Sequence, residues 1–194
     1  MLNNILKKIN TKNKLNFHKD TNNMLSLLIK YILESKESYD NHIVQQQTFQ
    51  MEKISNAFLD SIPEFISYPE KIQTHIRAIK HKIKIHFTFT IRKHQFNISI
   101  ISDKNQSIDI DLYLEYIYRW LYVATLYANN NCSKYLDVFI FTTKLKKTMP
   151  SKKSTLNENN CNTAFTTVCK PRTSIHLYRQ EEWFKVFIHE TFHC

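Results

Sequence analysis

The sequence has no glycine in 194 residues. Glycine is the residue that enters left-handed backbone, or lets backbone approach a ligand, without a steric penalty. A chain without it cannot build a P-loop, a G-x-G-x-x-G dinucleotide turn, a G-x-S-x-G nucleophile elbow or an EF-hand loop. Whole classes of nucleotide and hydrolase chemistry drop out on this ground. An ordinary composition carries about 7% glycine, so the sequence is either strongly biased or part of a longer one. Its wealth of Asn, Lys, Ile, Tyr and Phe fits an A+T-rich coding sequence.

A hydrophobic share of 42% over this length suits one domain with a real core and excludes wholesale disorder. The formal charge of +10 points towards polyanionic partners, although lysine-rich coding bias gives the same excess. The densest basic stretch holds Arg77, Lys80, Lys82, Lys84, Arg92 and Lys93, interleaved with His75, His81, His86 and His94. It has the charge of a nucleic-acid surface without a matching fold signature, and reads more simply as the solvated face of a strand. Cys132, Cys161, Cys169 and Cys194 form no C-x-x-C pair and are too few for a disulfide scaffold. A reducing compartment is therefore expected. Residues 1–8 lack the apolar run of a signal peptide, and residues 112–128 are interrupted by Glu115 and Arg119. The expectation is an intracellular, cytoplasmic protein with no membrane partner.

Hydrophobic periodicity organises the chain. Met24, Leu25, Leu27, Leu28, Tyr31 and Ile32 recur at helical spacing, and a second helix is expected over 42–59 from Ile43, Val44, Phe49, Ile54, Phe58 and Leu59. Pro63 and Pro69 place a boundary at 61–70, separating a helical region (1–69) from a second region (70–194). Over 82–92 the period becomes two, with Ile83, Ile85, Phe87, Phe89 and Ile91 on one face. Phe96, Ile98 and Ile100 repeat it after a short polar break, which predicts a hairpin. Asp109 or Asp111 caps a helix whose inner side is expected to carry Leu112, Tyr116, Trp120, Leu121 and Ala124. A buried strand at 135–142, a loop over 144–160, short strands near 163–168 and 173–178, and a helix from about Gln180 complete the order. The fold class expected is α+β: a helical N-terminal region, then a mixed, mainly antiparallel sheet with a backing helix and a final helix.

That final helix contains His189-Glu190-Thr191-Phe192-His193, an H-E-x-x-H pattern. One helical turn separates the two histidines, so both imidazoles project from one face and can bind one metal ion. Glu190 is rotated by about 100° from His189 and can act as general base on an activated water without displacing either ligand. From the chain's own His and Glu frequencies, chance would produce the pattern about 2% of the time. The duller alternative is an amphipathic helix whose histidines only form hydrogen bonds.

Residues 186–194 resemble the active-site helix of the zincin metallopeptidases. The resemblance implies Zn2+ as cofactor, His189 and His193 as ligands, Glu190 as catalytic base, and a peptide or protein substrate. The preceding stretch is similar, more loosely, to the gluzincin branch, in which an edge strand with Asn-Ala-aromatic binds substrate backbone. Here Asn162-Thr163-Ala164-Phe165-Thr166 is followed by Ser174-Ile175-His176-Leu177-Tyr178 and then the helix. The resemblance implies substrate binding at Thr163, Ala164 and Phe165, with Thr163 standing where the family has Asn. Asn162 comes one residue too early and would face the other way along a strand. Those families take a third ligand from downstream of the second histidine, whereas this sequence stops one residue later. The expectation is thus an N-terminal portion of a zincin-like domain, inactive as it stands, the alternative being a truncated relative that binds zinc poorly.

Other residues compete for roles. Cys194 points about 100° away from His193 and reads as a small buried side chain. His176 could reach the site from its strand, although a hydrogen-bonded structural role is the default. Glu181 and Glu182 suit the first helical turn, and Glu182 could orient a ligand histidine. The alternative function is a basic nucleic-acid-binding or structural protein, of a kind found in viruses, with a degenerate metal site.

Overall fold

The computed structural model describes residues 19–46, 49–129, 131–148 and 163–194, together with positions 150, 155 and 160. Among them are five α-helices and one six-stranded mixed sheet, an α+β architecture. In chain order these are α1 (Lys19–Gln46), β1 (Gln50–Lys53), α2 (Asn56–Ser61), α3 (Glu70–Ala78), β2 (Lys82–Ile91), β3 (His94–Asp103), α4 (Ile110–Ala124), β4 (Tyr135–Phe141), β5 (Ala164–Thr166), β6 (Arg172–Leu177) and α5 (Trp183–Thr191). A 3-10 turn, Phe65–Ser67, lies between α2 and α3.

Sheet order is β1-β2-β3-β4-β6-β5. β2 and β3 form the expected hairpin, and their strict alternation buries Ile83, Ile85, Phe87, Phe89 and Ile91 on one face. β3, β4 and β6 run parallel, with α4 as the crossover from β3 to β4. β1 and β5 close the two edges, each antiparallel to its neighbour.

Two layers cover the sheet. One face carries α4 and α5 over Phe96, Ile98, Leu136, Val138, Ile175 and Leu177, with Phe187 of α5 fully buried among them. α1 lies across α4, where Ser38 and the Tyr118 hydroxyl are 2.9 Å apart and the Tyr39 and Tyr118 rings meet edge to face. On the other face Leu59, Ile62, Phe65, Tyr68, Ile72 and Ile76 pack on Ile101, Phe141 and Tyr178. Residues on both sides of 61–70 thus share one core.

Without glycine, left-handed backbone falls on Glu64, Arg92, Ser133 and Glu182, with φ between 49° and 55°. A residue with a Cβ pays roughly 1–2 kcal/mol for this conformation, so its surroundings must hold it. Arg92 and Ser133 are held by side-chain hydrogen bonds, and Glu64 and Glu182 make looser contacts. Arg92, in the β2–β3 turn, donates to the Tyr122 carbonyl (2.9 Å) and to Thr125 Oγ1 (2.7 Å), and its guanidinium covers the Tyr122 ring. Ser133 Oγ meets Thr173 Oγ1, Glu182 pairs with Lys185 and Lys147, and Glu64 approaches Ser174 and His176.

Three expectations need correction. The helix expected over 42–59 is broken: α1 ends at Gln46, residues 50–53 pair with β2, and Ser55 caps the short α2. Strand pairing overrides the helical spacing there. The inner side of α4 is Tyr113, Leu114, Ile117, Tyr118 and Leu121, so only Leu121 of the expected set belongs to it. The charged residues Asp111, Glu115 and Arg119 lie away from that side, and Tyr116 and Trp120 of the expected set turn to α5 instead. Finally, Cys132 and Cys169 form a disulfide with Cα atoms 5.0 Å apart. Tyr135 and Arg172 are register partners in parallel strands, and each cysteine lies three residues before one of them. Register brings the thiols level, which spacing along the chain could not reveal, so the cysteine count gives no ground for a reducing compartment. Cys161, Asn162 and most of the expected 144–160 loop lie outside the described residues.

Of the two candidate caps, Asp109 is the one used, accepting from Leu112 N–H at 3.0 Å. Asp109→Ala should lower stability by about 1 kcal/mol in urea unfolding, the usual value of such a cap. Asp111→Ala should lose less.

Candidate functional site

α5 rests on β5 and β6 and touches α4. Phe187 anchors it to the sheet, Trp183 stacks on Tyr113 at 4.1 Å, and Tyr116 packs against Phe184. Towards its end Trp120 Nε1 donates to Thr191 Oγ1 at 2.8 Å. With these residues facing the sheet and α4, helical geometry turns His189 and His193 away from the core. Both are exposed.

Their Nε2 atoms lie 3.3 Å apart, with ring centroids 5.0 Å apart. Two nitrogens bound at 2.0–2.1 Å to one tetrahedral ion are separated by about 3.3–3.4 Å. The contact is a hydrogen bond between the two rings here, and its length is also that of two corners of a tetrahedral zinc site. Among the described residues no group of three or more His, Cys, Asp or Glu side chains is arranged to hold a metal.

Glu190, next to His189 in the helix, is more enclosed. It is buried, and Thr166 Oγ1 donates to its Oε2 at 2.6 Å. Thr166 belongs to β5, the edge strand, so helix and edge strand meet at this carboxylate. Of the residues expected to bind substrate, Thr163 is buried just before β5, and its carbonyl accepts from Tyr178 N–H at 3.1 Å. Ala164 packs towards the α5 side, while Phe165 turns to the opposite face and stacks on His176 with centroids 4.6 Å apart.

His176 does not reach the histidine pair. It is fully buried on the far face, between Phe139 and Phe165, with Nδ1 2.8 Å from the Tyr68 hydroxyl and Nε2 2.9 Å from Ser174 Oγ. Burial pushes its pKa down to about 4, against a small opposing pull from Asp137. Glu182 does not orient a ligand histidine either. It is the N-cap residue of α5, and its pairing with Lys185 and Lys147 lowers its pKa. Cys194 packs at the edge of the core, where burial raises its thiol pKa to about 11, so it has little thiolate character.

Much of the basic stretch is engaged internally. Lys82 Nζ donates to the Arg77 and Ile79 carbonyls at the end of α3, Arg77 pairs with Asp60, and Lys84 pairs with Glu52. An apolar cavity of about 810 Å³ lies between α1 and the end of α4, lined by Met24, Leu28, Tyr31, Phe96 and Leu136 among others. Neither the histidine pair nor Glu190 lines it. No helix among the described residues is long and apolar enough to cross a membrane.

Sequence reasoning missed Thr166. The available signal was strand alternation, which puts positions 164 and 166 on one face, the face that the following helix covers. Compared with known proteins, the chain matches no family model, no curated protein and no solved structure.

Proposed function

We propose that the chain carries the catalytic helix and substrate edge strand of a zincin-like, zinc-dependent metallopeptidase. The observation that carries this reading is the pairing of the exposed His189 and His193 Nε2 atoms at 3.3 Å, with Glu190, between them in the sequence, bonded to the edge strand. His189 and His193 would hold the ion; a bound zinc would supply Lewis-acid activation of water and of the substrate carbonyl. Glu190 would take a proton from the attacking water and deliver it to the leaving amine as the peptide C–N bond breaks. An extended peptide would add to the outer rim of β5, which has no strand partner among the described residues. The order of edge strand, second strand and H-E-x-x-H helix supports the gluzincin-like version of this reading.

The test uses the protein, zinc and an internally quenched peptide library. Glu190→Gln should lower kcat by about 100-fold or more while leaving bound zinc unchanged. His189→Ala and His193→Ala should each lose zinc. Undiminished hydrolysis by Glu190→Gln would sink the proposal. Salt-sensitive DNA binding that survives loss of both histidines would favour a nucleic-acid-binding protein instead.

A further inference from the structure

Thr166 does two things at once. Its Oγ1 donates to Glu190 Oε2 at 2.6 Å and lies 3.4 Å from the Glu190 carbonyl oxygen. Its backbone belongs to the outer rim of the sheet. In the β5–β6 ladder the Thr163 carbonyl accepts from Tyr178, and Thr167 N–H donates to the Ser174 carbonyl. Hydrogen-bonding direction alternates along an antiparallel strand, so 163, 165 and 167 turn their polar groups towards β6. Ala164 and Thr166 therefore present theirs to the open edge.

We infer that Thr166 is a positioning residue for Glu190, joining the strand that receives substrate to the carboxylate that handles its proton. This role rests on the peptidase reading above. A glutamate has three side-chain torsions, and on α5 only a fixed partner keeps its carboxylate at one place. A threonine donor suits that task because its branched Cβ restricts χ1. The bond is short, and it is partly buried. A peptide pairing with the Thr166 backbone would thus settle on the same residue that fixes the base. Misplacing a reacting group by about 1 Å can cost roughly 100-fold in rate.

Thr166→Val removes the hydroxyl and keeps the shape, whereas Thr166→Ser keeps the hydroxyl. In the zinc-loaded protein, Thr166→Val should lower kcat by roughly 10- to 100-fold, with KM and zinc content nearly unchanged. Thr166→Ser should recover most of the rate. A second readout needs neither zinc nor substrate: thermal unfolding of Thr166→Val, Glu190→Met and the double variant. Their Tm shifts should be non-additive by roughly 2–4 °C if the two side chains are bonded. An active wild type with Thr166→Val unimpaired, or additive Tm shifts, would overturn this inference alone. A zinc-loaded wild type that cleaves no peptide would overturn the peptidase reading, and this role with it.

Discussion

Phe187→Ala is expected to destabilise the protein by about 3–5 kcal/mol in urea unfolding, the range for truncating a buried aromatic ring. Typical domains have only about 5–15 kcal/mol in total, so this loss brings the fold close to its limit. Phe187 has no exposed surface, and it joins a nine-residue helix to the sheet. A helix that short has no stability of its own in water and persists through its packed face. Its neighbours cannot replace that anchor, because Trp183 and Phe184 pack sideways on Tyr113 and Tyr116. The histidine pair should suffer with the anchor. Once α5 loosens, the 3.3 Å separation of the two Nε2 atoms is no longer enforced, and on the proposed zinc reading affinity for the ion should fall with both histidines intact. Phe192→Ala offers the contrast, since Phe192 is 74% exposed and meets only the edge of Trp120 in an aromatic pair. It should lose less than about 1 kcal/mol. Equal losses in the two variants would mean that Phe187 is not what holds the helix.

How much of this was legible in the sequence depended on whether the deciding interaction was local. The β2–β3 hairpin was legible because alternation is a property of neighbouring residues, and ten consecutive register pairs keep it. The H-E-x-x-H spacing likewise predicted that His189 and His193 would share a face. Contacts set by register or by a second element were not legible. The Cys132–Cys169 disulfide depends on β4 and β6 being adjacent and parallel. The face of α4 depends on α1, whose residues meet it from about 80 positions away. Glu190 could be named as a candidate base from the motif, but its partner Thr166 came into view only when β5 was placed beside α5. His176 is the clearest case. As a lone histidine on a strand it offered a choice between ligand and structural roles, and the residue that decides, Tyr68, is 108 positions away.

Burial of His176 should also be felt in acid: stability should fall between about pH 6.5 and pH 4, by about 3 kcal/mol from this residue alone. In the folded chain its pKa is depressed to about 4, whereas an unfolded histidine titrates near 6.5. Across that window the unfolded chain binds a proton that the folded one refuses, so unfolding gains as pH drops. The contribution is complete above pH 6.5 and is lost as pH falls towards 4. Each pH unit between the folded and unfolded titration midpoints is worth about 1.4 kcal/mol, which sets the size of the effect. The surroundings explain why the neutral ring is kept. Its flat faces are covered by Phe139 and Phe165, and both nitrogens already have hydroxyl neighbours. The Tyr68 hydroxyl can donate to Nδ1 while Nε2–H donates to Ser174 Oγ, an arrangement open only to the neutral ring. Asp137 favours the charged form, but burial outweighs it. His176→Phe should therefore flatten the acid limb of stability against pH. It should also lower stability at pH 7.5 by about 1–3 kcal/mol, because the buried Tyr68 hydroxyl loses its partner. Chemical denaturation of both proteins at half-unit steps from pH 4 to 8 would separate the two effects. An acid limb as steep in the variant as in the wild type would assign it to other groups, and His176 would then be a packing residue without an electrostatic role.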